Sequence, residues 1–317
     1  MIRLEFEIGL DYDVLGPAHF LFNFVAARTA AQRIVRERLD INGAPPPRGP
    51  FHEPQFGNRL LRLQAMPGPL HVDYSATLDI QHFFGEPSDV YESALEELPP
   101  QTLPFLLASR YCQSDQLVQL AHGEFGYLPR GYARVAAICD WVRQRTRFTL
   151  GTSVVGTTAL DTLREQRGVC RDFAHLMIAL CRALNIPARF VTGLDYGADP
   201  ALGPHDFHAY VEVWLGNRWY LFDPSGITVP SGLARLATGR DAADVSFCTM
   251  FGAVRARMPR VSIRAIADEL HGIALPERTT LAISTAGPVE PATQSPPQPL
   301  AAHPAIVAER PRAPQYA

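Results

Sequence analysis

The sequence has little cysteine and no cysteine pairing pattern. Its five cysteines among 317 residues are odd in number, widely scattered and free of Cys-x-x-Cys spacing. This argues against a disulfide framework and against a cysteine-based zinc site. We expect most of them to be small, buried, apolar residues. The five are Cys112, Cys139, Cys170, Cys181 and Cys248.

Long hydrophobic runs and a strong net charge are also missing. No stretch reaches the roughly 18 apolar residues of a membrane span, and the N-terminal residues MIRLEFEIGL alternate in character, unlike a signal peptide. The formal charge of −3 comes without a long basic run, so neither nucleic acid nor a membrane is expected as a partner. We expect a cytoplasmic protein.

The first 100 residues are predicted to form a mainly β, sandwich-like domain. Short alternating or apolar segments are separated by Pro- and Gly-containing turns. Residues Ala30–Ile41 are ambiguous, because their propensity favours a helix while their polarity alternates, and we favour a strand. The other predicted strands are Arg3–Ile8, Phe20–Ala26, Leu60–Gln64 and Leu70–Ile80.

Residues 101–275 are predicted to form a second, mixed domain. Apolar residues at three- and four-residue spacing predict a helix at Tyr132–Arg145, and Thr157 and Thr158 are candidate caps for another at Ala159–Gln166. Residues 276–317 are rich in Pro, Ala, Thr and Ser. They would bury too little apolar surface to offset chain entropy, so we predict a disordered tail.

A third helix is predicted to begin at Cys170, directly after Gly168, and to end at Asn185–Pro187. Unpaired amide groups and the helix dipole at such a position favour an anion, which lowers a thiol pKa and can stabilise an oxyanion. Cys170 is therefore the candidate nucleophile. The apolar face of this helix consists of Phe173, Ala174, Met177, Ile178, Cys181 and Leu184.

A hairpin is predicted downstream, with Gly216–Asn217 as a two-residue turn. Leu215 then pairs with Arg218, so that Tyr210 faces Asp223 and His208 lies one diagonal step away on the same face. Diagonal neighbours are roughly 7–8 Å apart at the backbone, within reach of an imidazole and a carboxylate. An odd number of loop residues would instead place Asp223 on the opposite face.

These segments resemble the transglutaminase-like superfamily of bacteria. Its three core motifs are similar to GVCRDFAH, DFHAYVEV and RWYLFDPS, and LLASRYCQSD resembles the segment that joins its N-terminal β region to the core. The resemblance covers roughly residues 1–250. It implies an α+β, papain-like core with Cys170 as nucleophile, His208 as general base and acid, and Asp223 as orienting carboxylate. No EF-hand type acidic loop is visible, so no metal and no cofactor is expected.

Other polar residues of these motifs have structural interpretations. Asp172 could contact substrate or modulate Cys170, but an acidic residue in a first turn more often stabilises the helix start. Tyr210 could line the site. His175 lies five residues after Cys170 and is expected to pack on another side of the helix. His205, Asp206 and His208 have poor spacing for a metal site on a strand.

Two functions are compatible with the sequence. The first is a thiol enzyme that forms a Cys170 thioester with a protein or peptide amide and transfers the acyl group to water or to an amine. It would be a cysteine protease or amidase, or a protein-glutamine acyltransferase. The second is a non-catalytic binding or scaffold module that retains the fold.

Overall fold

The N-terminal strands form two antiparallel sheets. The structure is a computed structural model and describes residues 1–286. Within the longer sheet β3, β6 and β1 lie side by side, and β15 and β16 pair with successive parts of β1. Its strands are β1 (Ile2–Val14), β3 (Gln32–Asn42), β6 (Gly68–Ile80), β15 (Val254–Ala256) and β16 (Arg260–Ile266). The shorter sheet consists of β14 (Cys248–Phe251), β2 (Ala18–Phe22), β5 (Arg59–Ala65) and β4 (Arg48–His52), in that order.

Alternating apolar side chains bury the facing sides of these two sheets. In β1 every second residue from Leu4 to Leu10 is buried, whereas Glu7 is exposed. The rings of Tyr12 and Phe20, from opposite sheets, lie 5.2 Å apart within one hydrophobic cluster. The predicted sandwich-like arrangement is confirmed, and so is the strand interpretation of Ala30–Ile41, where β3 forms.

The other part of the chain packs helices against a third antiparallel sheet. Its strands, in spatial order, are β13 (Ala237–Gly239), β10 (Ala188–Leu194), β11 (Phe207–Leu215), β12 (Arg218–Phe222), β17 (Ala282–Ser284) and β7 (Phe83–Gly85). The helices are α1 (Val118–Phe125), α2 (Tyr132–Arg145), α3 (Ala159–Glu165) and α4 (Cys170–Ala183). The short strands β8 (Arg147–Phe148) and β9 (Arg167–Gly168) pair in parallel just before α4.

Helix α4 lies at the centre of this part of the chain. It begins at Cys170, as predicted, and every residue from Asp172 to Ala183 is buried. It packs against β10 and β11 on one side and against α2 and α3 on others. The helix ends before Asn185, whose positive φ of 62° reverses the chain direction. Cys170, the predicted nucleophile, is therefore the first residue of a helix that is buried along most of its length.

The strand pairing does not follow the predicted boundaries at residues 100 and 275. Strands β14, β15 and β16 come after the motifs that contain Cys170, His208 and Asp223 but pair with the N-terminal sheets. Strand β7 comes from the N-terminal region but joins the core sheet. The predicted disordered tail is wrong for its first residues, because Ala282, Ile283 and Ser284 are buried in β17, between β12 and β7. Residues 287–317 lie outside the described part of the chain. Among residues 1–286, no helix has the length and apolar character needed to cross a membrane.

Candidate active site

The backbone before α4 is shaped around Asp172. The carboxylate of Asp172 is fully buried, accepts the amide N–H of Val169 at 2.9 Å and accepts the hydroxyl of Ser153 at 2.9 Å. A Cβ atom at Gly168 would lie 2.7 Å from the Cβ of Asp172, so only glycine leaves room for this contact. Asp172 therefore fixes the first turn of the helix that carries Cys170, by the capping role that the sequence favoured.

His208 and Asp223 are brought together by the predicted hairpin. Leu215 pairs with Arg218, and Gly216 and Asn217 have φ values of 49° and 63°, as a two-residue turn of this hand requires. Nε2 of His208 lies 3.3 Å from Oδ1 of Asp223, and both side chains are buried. The predicted register is confirmed, and with it the meeting of an imidazole and a carboxylate.

The carboxylate of Asp223 is held by residues that sequence reasoning missed. Ser225 donates its amide N–H at 3.0 Å and its hydroxyl at 2.6 Å to Oδ1. Thr228 donates its amide N–H at 3.1 Å and its hydroxyl at 2.7 Å to Oδ2. Burial favours the neutral acid, but the His208 charge and these hydrogen bonds outweigh it and lower the pKa of Asp223. The signal in the sequence was the Asp-Pro-Ser spacing of an Asx-type turn.

The imidazole of His208 lies between Asp223 and Cys170. Burial lowers the pKa of His208, but the charges of Asp223 and Cys170 and hydrogen bonds to both raise it to about 10. Because Asp223 engages Nε2, Nδ1 is the ring nitrogen that remains for the thiol. The imidazole therefore contacts both a carboxylate and a thiol, an arrangement that can activate a cysteine as a nucleophile.

Cys170 opens onto a cavity of about 570 Å³, a size typical of small-ligand and substrate sites. His208 lines the same cavity. Its walls come from loops of the core and also from the segment between β15 and β16, which belongs to the N-terminal sandwich. Cys170 and His208 are therefore reached through a cleft to which both parts of the chain contribute.

Comparisons with known proteins show the family to which this chain belongs. Residues 122–224 match the model of the transglutaminase-like superfamily. A solved structure from Cytophaga hutchinsonii, described as "a Putative Cysteine Protease", is 35% identical, covers 89% of this chain and 97% of its own, and has a TM-score of 0.81. The chain belongs to the transglutaminase-like superfamily. The predicted α+β fold, with a β-rich region before the superfamily core, is confirmed.

Curated relatives match over shorter segments. An uncharacterised protein of Mycobacterium leprae is 34% identical over 117 residues, which is 35% of this chain and 42% of that protein. Another, from Mycobacterium bovis, is 33% identical over 113 residues, or 32% of this chain and 36% of that protein. The chain thus spans less than half the length of these curated relatives.

Tyr210 lies behind the His208 imidazole and does not line the cavity. Its side chain is fully buried, and its ring meets the His208 ring edge to face at a centroid distance of 4.6 Å. Its hydroxyl donates to the backbone oxygen of Leu194 at 2.8 Å. Of a place in the cavity wall and a place that supports the site from behind, the structure gives Tyr210 the second, because its ring packs on the imidazole from inside the core. Asp172 is likewise absent from the cavity wall.

The remaining candidate residues take structural positions. The other four cysteines are free, and burial raises the pKa of Cys112 and Cys139 to about 12, that of Cys248 to about 11 and that of Cys181 as well. His175 stacks on Tyr111 at 5.0 Å and accepts the amide N–H of Ala242. Throughout residues 1–286, no group of three His, Cys, Asp or Glu side chains is placed to hold a metal ion.

Proposed function

We propose that this protein is a thiol enzyme that cleaves or exchanges amide bonds of proteins or peptides through a Cys170 acyl-enzyme. The position of His208, in hydrogen-bonding contact with Cys170 on one side and Asp223 on the other, carries this assignment. A cysteine nucleophile, an imidazole and an orienting carboxylate are the three groups that such chemistry requires. The 35% identical relative described as "a Putative Cysteine Protease" supports the same class of reaction.

The reaction begins when the Cys170 thiolate attacks the carbonyl carbon of the amide, forming a C–S bond and a tetrahedral oxyanion. The amide groups at the start of α4 are the candidate donors to that oxygen, because the first N–H groups of a helix lack partners within it. Protonated His208 then gives its proton to the leaving nitrogen as the C–N bond breaks. A thioester on Cys170 and a free amine result.

Water or a second amine completes the cycle. His208 takes a proton from the acceptor, which attacks the thioester carbonyl, and the Cys170 sulfur leaves as thiolate. Water gives a carboxylic acid, and therefore proteolysis or deamidation, whereas a primary amine gives a new amide. Both outcomes use the same three residues, so the acceptor distinguishes a hydrolase from a transglutaminase.

Labelling by iodoacetamide at near-neutral pH tests the nucleophile. We expect Cys170 to be alkylated far faster than the other cysteines, and Cys170→Ala to abolish the fast labelling. Cys248→Ala is the matched control, because Cys248 is also partly exposed but lies in the sandwich. Labelling that persists at the same rate in Cys170→Ala would exclude this nucleophile and favour a non-catalytic binding module.

Mass spectrometry of glutamine-containing peptides, incubated with the protein with and without a primary amine, distinguishes the reactions. Fragments indicate proteolysis, and the mass change of an amide converted to an acid indicates deamidation. A gain equal to the amine minus ammonia indicates transamidation. A cytoplasmic location and a protein or peptide substrate remain part of this proposal.

A further inference from the structure

A loop of the N-terminal sandwich reaches the candidate active site. Met258 and Pro259 connect β15 to β16, two strands that pair with β1, yet both line the cavity that contains Cys170. Met258 is 79% exposed. Its side chain therefore contributes little to the core of the sandwich, and its position in the cleft needs another explanation.

The wall of this cavity is largely apolar. The rings of Phe207 and Phe247 stack at a centroid distance of 4.7 Å, and Phe207 directly precedes His208. Leu150 and Leu202, from two loops of the core, also line the cavity and are exposed. Exposed apolar side chains grouped around a reactive cysteine indicate a surface that is covered when substrate binds.

The charged groups of the cavity disfavour an acidic occupant. Asp195, Asp199 and Asp206 line it, and within residues 1–286 none of the three is paired with an Arg or Lys side chain. The guanidinium of Arg171 already contacts the Ser153 hydroxyl and the Val154 carbonyl oxygen. Each basic side chain of the wall already faces a carboxylate: Arg171 contacts Asp172, His205 contacts Asp195 and His208 contacts Asp223. The carboxylates of Asp199 and Asp206 therefore remain to meet a substrate.

We infer that the cleft selects peptides in which the residue that bears the scissile carbonyl has a bulky apolar side chain, and that it disfavours an acidic residue at that position. Met258 forms part of the wall that makes this selection. This specificity rests on the proposed function, since it describes the substrate of the same cysteine. It gives the N-terminal sandwich a direct part in substrate selection.

Peptidyl acyloxymethyl ketones test this inference, because the Cys170 thiolate displaces their carboxylate and forms a stable thioether. Four probes would differ only in the residue that bears the ketone: Phe, Ala, Lys or Glu. We expect the Phe probe to inactivate Cys170 roughly tenfold or more faster than the Ala probe, as apolar pockets typically discriminate, with Glu slowest. Equal rates for Phe and Ala, or a Glu probe as fast as Lys, would overturn the inference.

Met258→Ala should reduce the preference for Phe over Ala severalfold. Met66→Ala is the control, because Met66 is also an exposed methionine of the sandwich and lies outside the cavity. An unchanged preference in Met258→Ala would remove the sandwich from substrate selection. If iodoacetamide labels Cys170 but all four probes react alike, the selectivity is wrong and the proposed function stands. If iodoacetamide fails to label Cys170, the proposed function itself is wrong.

Discussion

Thr228 donates two hydrogen bonds to the same carboxylate oxygen of Asp223. Its amide N–H and hydroxyl lie 3.1 and 2.7 Å from Oδ2, while Ser225 and His208 occupy Oδ1. The carboxylate cannot rotate without breaking several of these bonds. Thr228 is thus a positioning residue that holds the imidazole through Asp223.

Thr228→Val should lower kcat/KM for a peptide substrate by about 10- to 100-fold, because a hydrogen bond to a charged group is lost. Weaker fixation of Asp223 should also lower the pKa of His208 and move the alkaline limb of the pH–rate profile to lower pH. Thr228→Ser keeps the hydroxyl and should restore both. Thr249→Val, on an exposed strand of the sandwich, is the control. An unmoved alkaline limb in Thr228→Val would contradict the positioning role.

The raised pKa of His208 predicts a pH-dependent stability. Burial lowers this pKa, but Asp223 and Cys170 raise it to about 10, while an unfolded histidine titrates near about 6.5. The folded protein therefore holds an extra proton between these values, and the resulting stability is full below about pH 6.5 and lost as the pH rises through about 10.

Asp223→Asn removes the charge that holds this proton. The wild type should have a higher free energy of unfolding than the variant, and this difference should shrink as the pH is raised from about 7 to about 10. Urea unfolding at several pH values measures this difference. A constant difference across the range would mean that Asp223 does not set the protonation of His208.

Gly168→Ala should disturb the start of α4. The new Cβ would lie 2.7 Å from the Cβ of Asp172, and relief of this overlap would displace the carboxylate that caps Val169. We expect a loss of about 1–3 kcal/mol in the free energy of unfolding and slower alkylation of Cys170. Gly156→Ala is the matched control, because its Cβ would have no neighbour within 4 Å. Equal effects of the two substitutions would contradict the packing explanation.

Glu212 joins the buried Arg235 to the half-buried Arg189, and loss of its charge should lower the stability of the protein. The carboxylate is fully buried and contacts Arg189 at 2.6 Å, Arg235, and the Thr285 hydroxyl at 2.5 Å. Burial lowers the pKa of Arg189 to about 9 and also lowers that of Arg235. Removing one partner from such a group leaves buried charge uncompensated.

Glu212→Gln should therefore lower the free energy of unfolding by about 3–5 kcal/mol. Glu5→Gln breaks an exposed pair with Arg264 and should change stability by less than about 1 kcal/mol. Thermal or urea unfolding of both variants measures the contrast. If both variants lose a similarly small free energy of unfolding, the Glu212 cluster contributes no more to stability than a surface ion pair.

The parts of the site that were predictable are those set by local sequence. The turn at Gly216–Asn217 fixes the hairpin register, and register alone decides that His208 and Asp223 share a face. The start of α4 could also be predicted from local sequence, because Gly168 precedes it and apolar residues at helical spacing follow Cys170.

The missed features depend on distant partners. Strand β17 has only three residues and is buried because β12 and β7 pair with it on either side, which no local pattern reveals. Met258 looks like an isolated loop residue until the pairing of β15 and β16 with β1 places it in the wall of the cavity that contains Cys170. The orientation of Tyr210 was missed because alternation gives the face of a strand but not which residues on that face reach the solvent.

The pairing of β1 with β16 also affects synthesis of the chain. Residues Arg3–Gly9 lie opposite Arg260–Ile266, so one edge of the first strand stays unpaired until almost the whole described chain has left the ribosome. Strand β6, which pairs with the other edge of β1, and its neighbour β3 are synthesised much earlier and can cover that edge. We expect the catalytic part to emerge while the sandwich is still unfinished, so that the last sheet edge and the Met258 wall of the cleft are completed in the same late folding step.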